Sequence, residues 1–171
     1  MTLARPNNLG LGPGVKALGD ILRGILEAAA GITPAIKAKF TDESLCRRCG
    51  VCCLTGVRVK DKMVLLPDLP CRHLSRPANG PCSCAVYPHR DLTGFCHRVN
   101  LESIRAELFA PDCPYVRDLP RYQGKTAVSP AEFDEIKPIL RNLFKLLDKP
   151  DYARRADWDR FRCDILGLPR P

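Results

Sequence analysis

The first long pattern of apolar residues lies near the start of the chain. From Val15 onward, apolar side chains recur every three or four residues, at Leu18, Ile21, Leu22, Ile25, Leu26 and Ala29. This spacing places them on one face of a helix, and Gly31 and Pro34 are typical of its end. We expect an amphipathic helix that packs on the rest of the domain. Binding to a partner protein or a membrane surface is the alternative, although the polar face lacks the Lys and Arg excess of a membrane binder.

Further along, the pattern predicts a short hairpin and a capped helix. Val57 and Val59 are separated from the apolar residues 63–66 by Lys60-Asp61-Lys62, which is typical of a polar turn. Asn100 can cap a helix that runs to about Phe109.

Two more helices are predicted towards the end of the chain. Ser129-Pro130-Ala131-Glu132 supplies an N-cap, a proline at the first helical position and the glutamate of a capping box. Pro138 lies inside this helix, so we expect a kink or break near Lys137. A last helix should run from about Asp151 to Leu166 and end at Gly167.

Composition and charge narrow the class of protein. A chain of 171 residues is one modest domain with extensions. The formal charge is +8, but the basic residues form no long block and aromatic residues make up 6%, so nucleic acid is a disfavoured partner. The beginning of the chain does not resemble a signal peptide, and no stretch is apolar enough for a membrane span. We therefore expect a cytoplasmic protein, in which closely spaced cysteines favour metal or redox chemistry over disulfides.

The most specific pattern is the run of cysteines at Cys46, Cys49, Cys52 and Cys53. Spacings of this kind occur in zinc sites and in iron–sulfur proteins. Consecutive side chains point in different directions, so Cys52 and Cys53 should not serve the same face of one ion. We infer that Cys53 serves a second metal centre or bridges two centres.

Five more cysteines follow within sixty residues of Cys53, which gives nine candidate ligands in total. They are Cys71, Cys82, Cys84, Cys96 and Cys113. Two four-thiolate sites need one fewer, and the tight pair Cys82 and Cys84 suggests that one of these two is spare. The alternatives are unligated, packed thiols and a disulfide framework.

These residues resemble a known family. The run Cys46–Cys53 is similar to the signature of the YkgJ-like cysteine-cluster family, whose members are described as zinc- or iron-chelating domains. Cys71-Arg72-His73-Leu74 and Cys84-Ala85-Val86-Tyr87-Pro88-His89-Arg90 match later parts of its pattern, whereas Asp91 replaces a proline and about two extra residues precede Cys96. The resemblance covers about residues 46–116. It implies eight ligands: Cys46, Cys49, Cys52, Cys53, Cys71, Cys84, Cys96 and Cys113.

The identity of the metal stays open at this point between zinc, iron or an iron–sulfur cluster, and another soft metal. The three histidines could be ligands or donors to ligands, but we favour polar loop positions for them: His73, His89 and His97. Four arginines beside the cysteines are interpreted as offsetting thiolate charge rather than binding phosphate: Arg47, Arg48, Arg72 and Arg98. Cys163 is expected to be a packed or surface thiol.

The sequence predicts a mainly α fold with irregular loops, a small α+β domain whose cysteine-rich core is stapled by metal and flanked by helices. The expected segments are a flexible leader (1–14), an amphipathic helix and linker (15–45), a metal-binding domain (46–116) and a C-terminal helical extension packed on it (117–171). No enzyme signature is present. We predict a zinc- or iron-chelating protein, with an iron–sulfur redox or enzyme component as the alternative and a protein partner possible at the helix over 15–30. An adaptor or nucleic-acid-binding module ranks last.

Overall fold

In the computed structural model, the described residues are 13–93, 96 and 98–170, so most of the predicted leader and His97 lie outside them. The α-helices of this part are α1 (Pro13–Ala29), α2 (Pro34–Ala38), α3 (Leu101–Arg105), α4 (Pro130–Leu146) and α5 (Arg155–Leu166). Its strands are β1 (Leu54–Val59), β2 (Lys62–Pro70), β3 (Leu74–Ser75), β4 (Ser83–Cys84) and β5 (Lys125–Thr126).

An antiparallel hairpin of β1 and β2 is the centre of the larger sheet. Its turn lies at Lys60-Asp61, as predicted, and the pairing extends from Val59 opposite Lys62 to an irregular end at Leu54 opposite Pro70. Strand β5 adds to β2 in parallel, and β3 pairs with β4 in a second, two-stranded sheet. The hairpin is longer than the apolar run at 63–66 suggests, because Leu69 continues the buried face of β2.

The first hydrophobic core packs this hairpin against the last two helices. Leu66 and Leu69 are fully buried, and they share one cluster with Phe144 of α4 and Trp158 of α5. The Phe144 ring centroid lies 5.1 Å from that of Trp158 and 5.2 Å from that of Phe161, in tilted contacts. Aromatic pairs at this separation contribute beyond the apolar area that they bury.

A second hydrophobic core lies between α2, with the residues just before it, and the segment from α3 to Leu119. Its buried residues are Ile32, Ile36, Ile104, Phe109, Tyr115, Val116 and Leu119. Cys46 and Cys113 pack against the edge of this cluster but remain partly exposed. The loop that carries Cys113 is thus anchored by apolar neighbours rather than by a thiol.

The predicted fold class is wrong. The described residues form a small α+β fold with two small sheets, and it is not mainly helical with a cysteine-stapled core. None of the ten cysteines is buried, whereas the nine buried members of the first core are all aliphatic or aromatic. The physical reason is that alternating apolar residues on β2 meet the apolar faces of α4 and α5, which supplies a core without thiols.

The predicted helix ends are partly confirmed. Asn100 and Ser129 each cap a helix through a complete capping box, and Gly167 ends α5 at a φ of 70°. Helix α3 ends at Arg105, earlier than expected.

The break expected at Pro138 does not occur. Pro138 lies in the exposed face of an uninterrupted α4. The carbonyl that loses its partner, on Asp134, belongs to an exposed residue and can bond to water, while buried Leu140 and Phe144 hold the following turns.

The N-terminal helix forms as predicted, but its apolar face is not packed on the domain. Leu18, Ile21, Leu22, Ile25 and Leu26 are 43–60% exposed. An ion pair of 2.7 Å between Glu27 and Lys37 ties the end of α1 to α2. Within the described residues, no helix has the length and apolar content that a membrane span requires.

The first core gives a direct test of what stabilises the fold. Leu66→Ala removes a side chain with no exposed surface, so it should lower the free energy of unfolding by about 2–5 kcal/mol. Leu146→Ala is the matched control, because Leu146 is 85% exposed and its loss should change stability by less than about 0.5 kcal/mol. Urea unfolding of both variants measures the difference, and equal stabilities would contradict the described core.

Candidate metal centre

The two sheets bring cysteines together that are distant in sequence. Cys53 precedes β1 and Cys71 follows β2, and at the open end of the hairpin the Cys71 amide donates to the Cys53 carbonyl at 2.8 Å. In the second sheet, Cys84 pairs with Leu74, three residues after Cys71. Both placements follow from strand register.

Four of these thiols form one neighbourhood, which we call the second thiol set: Cys53, Cys71, Cys84 and Cys96. The pKa of Cys53 is raised by its hydrogen bond with Cys52, by burial, and by the thiols of Cys84 and Cys71. The pKa of Cys96 is raised by burial and then by the thiols of Cys84, Cys71 and Cys52, so Cys96 is also within electrostatic reach of a cysteine outside this set. The Cys96 amide donates to the Thr93 hydroxyl at 3.1 Å, which fixes the loop on this side.

The remaining predicted ligands form the first thiol set: Cys46, Cys49, Cys52 and Cys113. Burial raises the pKa of Cys113, and the thiols of Cys49, Cys52 and Cys46 raise it further. Arg47 holds the two segments together, since its guanidinium donates to the Asp112 carbonyl at 2.6 Å and forms an ion pair with the Asp112 carboxylate at 2.8 Å. Arg47 therefore has a carboxylate partner besides any thiolate charge that it offsets.

The loop of the first set turns at Gly50. Its φ is +78°, in the left-handed region that favours glycine, and the 3-10 helix Val51–Cys53 begins directly after it. The Cys53 amide donates to the Gly50 carbonyl at 2.9 Å, which closes this turn. A Cβ at Gly50 would lie 2.9 Å from the Cys82 sulfur.

The two sets meet at Cys52 and Cys53, whose sulfur atoms are 3.9 Å apart. The hydrogen bond between them lowers the pKa of Cys52, while that of Cys53 is raised, so the pair readily loses one proton and retains the other. Lys125 also lowers the pKa of Cys52. The two adjacent cysteines are therefore in contact, and Cys52 is also within electrostatic reach of Cys96 in the second set.

Lys125 is a site residue that the sequence did not single out. Its ammonium donates to the carbonyls of Leu54 at 2.6 Å and Cys52 at 3.2 Å, and the residue is only 3% exposed. Burial lowers its pKa to about 8. The available signal was Gly56, because an isolated glycine within a strand indicates a close neighbour, and a Cβ there would lie 2.8 Å from the Lys125 Cδ.

A cavity of about 460 Å³ lies beside the thiols. Seven cysteines line it: Cys46, Cys49, Cys52, Cys53, Cys82, Cys84 and Cys113. Four arginines also reach its wall: Arg47, Arg48, Arg90 and Arg98. The Arg90 guanidinium lies 4.2 Å from the centroid of the Tyr87 ring and 3.1 Å from a Glu43 carboxylate oxygen. Guanidinium groups therefore lie beside a sulfur-rich wall, and those of Arg47 and Arg90 also have carboxylate partners.

The other two cysteines and the two described histidines are not members of either thiol set. Cys82 places its sulfur 3.7 Å from the Cys49 carbonyl, next to the first set. Cys163 lies on α5, outside both sets. His73 accepts a hydrogen bond from Arg72 at its ring nitrogen, and His89 lies on an exposed turn.

As placed in residues 13–93, 96 and 98–170, no group of three or more His, Cys, Asp or Glu side chains is arranged to hold a metal ion. The described structure brings thiols of both sets to the wall of one cavity without closing any group of them around an ion-sized centre. Any bound ion would have to draw the sulfur atoms inward.

Comparisons with known proteins give little beyond this geometry. No protein-family model matches the chain, and no solved structure matches it. An uncharacterized protein of Methanocaldococcus jannaschii is 38% identical over 87 residues. The match covers 49% of this chain and 59% of that protein, so the chain spans less than two thirds of its relative's length.

The turn of the first set can be tested at Gly50. Gly50→Ala should lower the free energy of unfolding by at least about 1–2 kcal/mol, because the left-handed backbone is strained for alanine and the new Cβ meets the Cys82 sulfur. Adding Cys82→Ala should recover part of the loss. Gly24→Ala is the control: it lies within α1 with open space around it and should be neutral or stabilising. Denaturant unfolding compares them, and a Gly50→Ala variant as stable as the parent would refute this role.

Proposed function

We propose that the protein is a metal-binding member of the YkgJ-like cysteine-cluster family, with two thiolate centres. The first centre uses the first thiol set, and the second centre uses the second. Zinc is the preferred metal, with iron or an iron–sulfur cluster as the alternative. The observation that supports the proposal is the proximity of these cysteines, which influence one another's pKa values and meet at the contact between Cys52 and Cys53.

The chemistry of the donors supports a soft cation. Each set is made only of sulfur, and four thiolates suit tetrahedral zinc as well as iron–sulfur clusters. The hydrogen bond with Cys52 and burial raise the pKa of Cys53, burial raises that of Cys96, and neighbouring thiols raise both further. A divalent cation that neutralises thiolates would relieve this last contribution. Metal binding requires sulfur atoms to move closer together. Cys49 and Cys96 can make this movement because they lie in loops, outside the strands and α-helices.

We assign Cys52 and Cys53 to different centres because neighbouring side chains point in different directions and do not suit one ion. Each centre then has four ligands without a bridge, and Cys82 remains a spare thiol beside Cys49. Two closed four-thiolate centres leave no open position for a substrate, so their role would be structural or metal-holding rather than catalytic.

The setting of the protein is part of the same proposal. The proposal includes a cytoplasmic location, where thiols stay reduced, and metal ions as the ligands, with nucleic acid as a disfavoured partner. The exposed apolar face of α1 offers a contact surface for a protein partner.

An iron–sulfur protein is the second candidate. It is favoured by the spacing of Cys46, Cys49 and Cys52 together with a distant Cys113 followed by Pro114, which resembles a ferredoxin-type ligand set. A visible absorption band that bleaches on reduction would separate it from a colourless zinc protein.

Metal analysis after anaerobic purification tests the proposal. We expect about two zinc ions per chain and no visible colour. Cys113→Ser and Cys96→Ser should each lose about one ion, because each removes a ligand from a different set. Elemental analysis of the purified proteins, normalised to protein concentration, gives these ratios.

Two further serine variants are matched controls. Cys82→Ser and Cys163→Ser also remove one thiol each, but neither belongs to a set, so both should keep the full metal content. Loss of metal in Cys163→Ser, or a parent protein without metal, would contradict two dedicated centres. Loss of both ions in Cys113→Ser and Cys96→Ser alike would point to one joint cluster instead.

A further inference from the structure

Lys125 is buried in a way that lysine rarely is. The residue is 3% exposed, and its ammonium donates to two backbone carbonyls, those of Leu54 and Cys52. None of the ion pairs formed by the described residues involves Lys125. A buried ammonium without a carboxylate is costly, because hydrogen bonds to neutral carbonyls compensate only part of its lost hydration.

The backbone around Lys125 is fixed independently of its charge. Residue 125 pairs with Met63 at the edge of β2, and its amide donates to the Phe109 carbonyl at 2.8 Å. Gly56 leaves the space that the side chain crosses, since a Cβ there would lie within 2.8 Å of the Lys125 Cδ. The fold therefore directs the ammonium towards the residues that join the two sets.

The hydrogen bond of 3.2 Å to the Cys52 carbonyl places the ammonium beside the two adjacent cysteines. Cys52 and Cys53 are the two residues that favour its charged form, and they belong to different sets. Four thiolates around one divalent ion leave a net charge of two negatives, so two filled centres concentrate negative charge at this junction. A fixed cation at this point would lower the energy of both centres.

We propose that Lys125 is the counter-cation of the two thiolate centres, a positioning residue whose charge strengthens metal binding without contacting the ion. This inference depends on the proposed function. It assigns Lys125 an electrostatic role towards the filled centres, in addition to the hydrogen bonds that it donates to the hairpin.

Substitutions at Lys125 separate charge from hydrogen bonding. Lys125→Met removes both, whereas Lys125→Gln removes the charge and keeps an N–H donor. Both variants should bind zinc about 10- to 100-fold more weakly than the parent, which is the usual effect of altering a group that supports metal ligands. Competition with a chromophoric zinc chelator measures the affinity, and far-ultraviolet circular dichroism of the metal-loaded variants verifies folding.

Lys149 offers a matched control. Its ammonium also donates to two backbone carbonyls, of Pro150 at 3.0 Å and Ala153 at 3.3 Å, and it is partly buried. Lys149→Met should leave zinc affinity unchanged. An equal loss in Lys149→Met, or parent-like affinity in Lys125→Gln, would overturn the charge role. A parent that binds no zinc would refute the proposed function itself, whereas a zinc-binding parent with unaffected Lys125 variants refutes only this inference.

Discussion

The antiparallel pairing of β1 with β2 is the constraint on which the candidate site depends. The strands are short, and their register places Cys53 and Cys71 side by side at the open end, where a backbone hydrogen bond of 2.8 Å joins them. The same hairpin presents Leu66 and Leu69 to the aromatic residues of α4 and α5. The regular pairing of residues 55–59 with 62–66 sets the core face, and the shift in register before Leu54 and Pro70 brings Cys53 beside Cys71. A slip of the regular pairing by one residue would turn its core side chains to the other face.

The hydrophobic cores are formed without buried cysteines, so a bound metal would not be the main source of folding energy. In domains that are too small for a core, the metal supplies much of the folding energy. Here two apolar clusters provide burial of their own, and the cysteines lie at their edges, partly exposed. A bound ion would therefore order the loops around Gly50 and Cys96 rather than staple the centre of the protein. Lys125 connects the sheet to the thiols, because its backbone pairs with β2 and its ammonium donates a hydrogen bond to the Cys52 carbonyl.

Local sequence signals predicted local structure well. The capping boxes at Asn100 and Ser129 and the turn at Lys60-Asp61 are short-range features, whose geometry depends on residues within one turn of each other. The cysteine run likewise indicated a candidate site, and the adjacency of Cys52 and Cys53 suggested two centres.

The tertiary features were less accessible from the sequence. The predicted cysteine core failed because periodicity does not reveal which apolar faces meet, and the exposed face of α1 has the same pattern as a buried one. Gly56 indicates a close neighbour within the strand, but not that the neighbour is Lys125, because that contact depends on β5 joining β2 in parallel across about sixty residues.

The central claim is that each centre is made of four cysteine sulfurs. X-ray absorption at the K-edge of the metal found in the anaerobically purified protein measures this directly. The expected result is a first shell of four sulfur atoms, at about 2.3 Å if the metal is zinc. A first shell dominated by nitrogen or oxygen, or a protein that retains no metal, would contradict it.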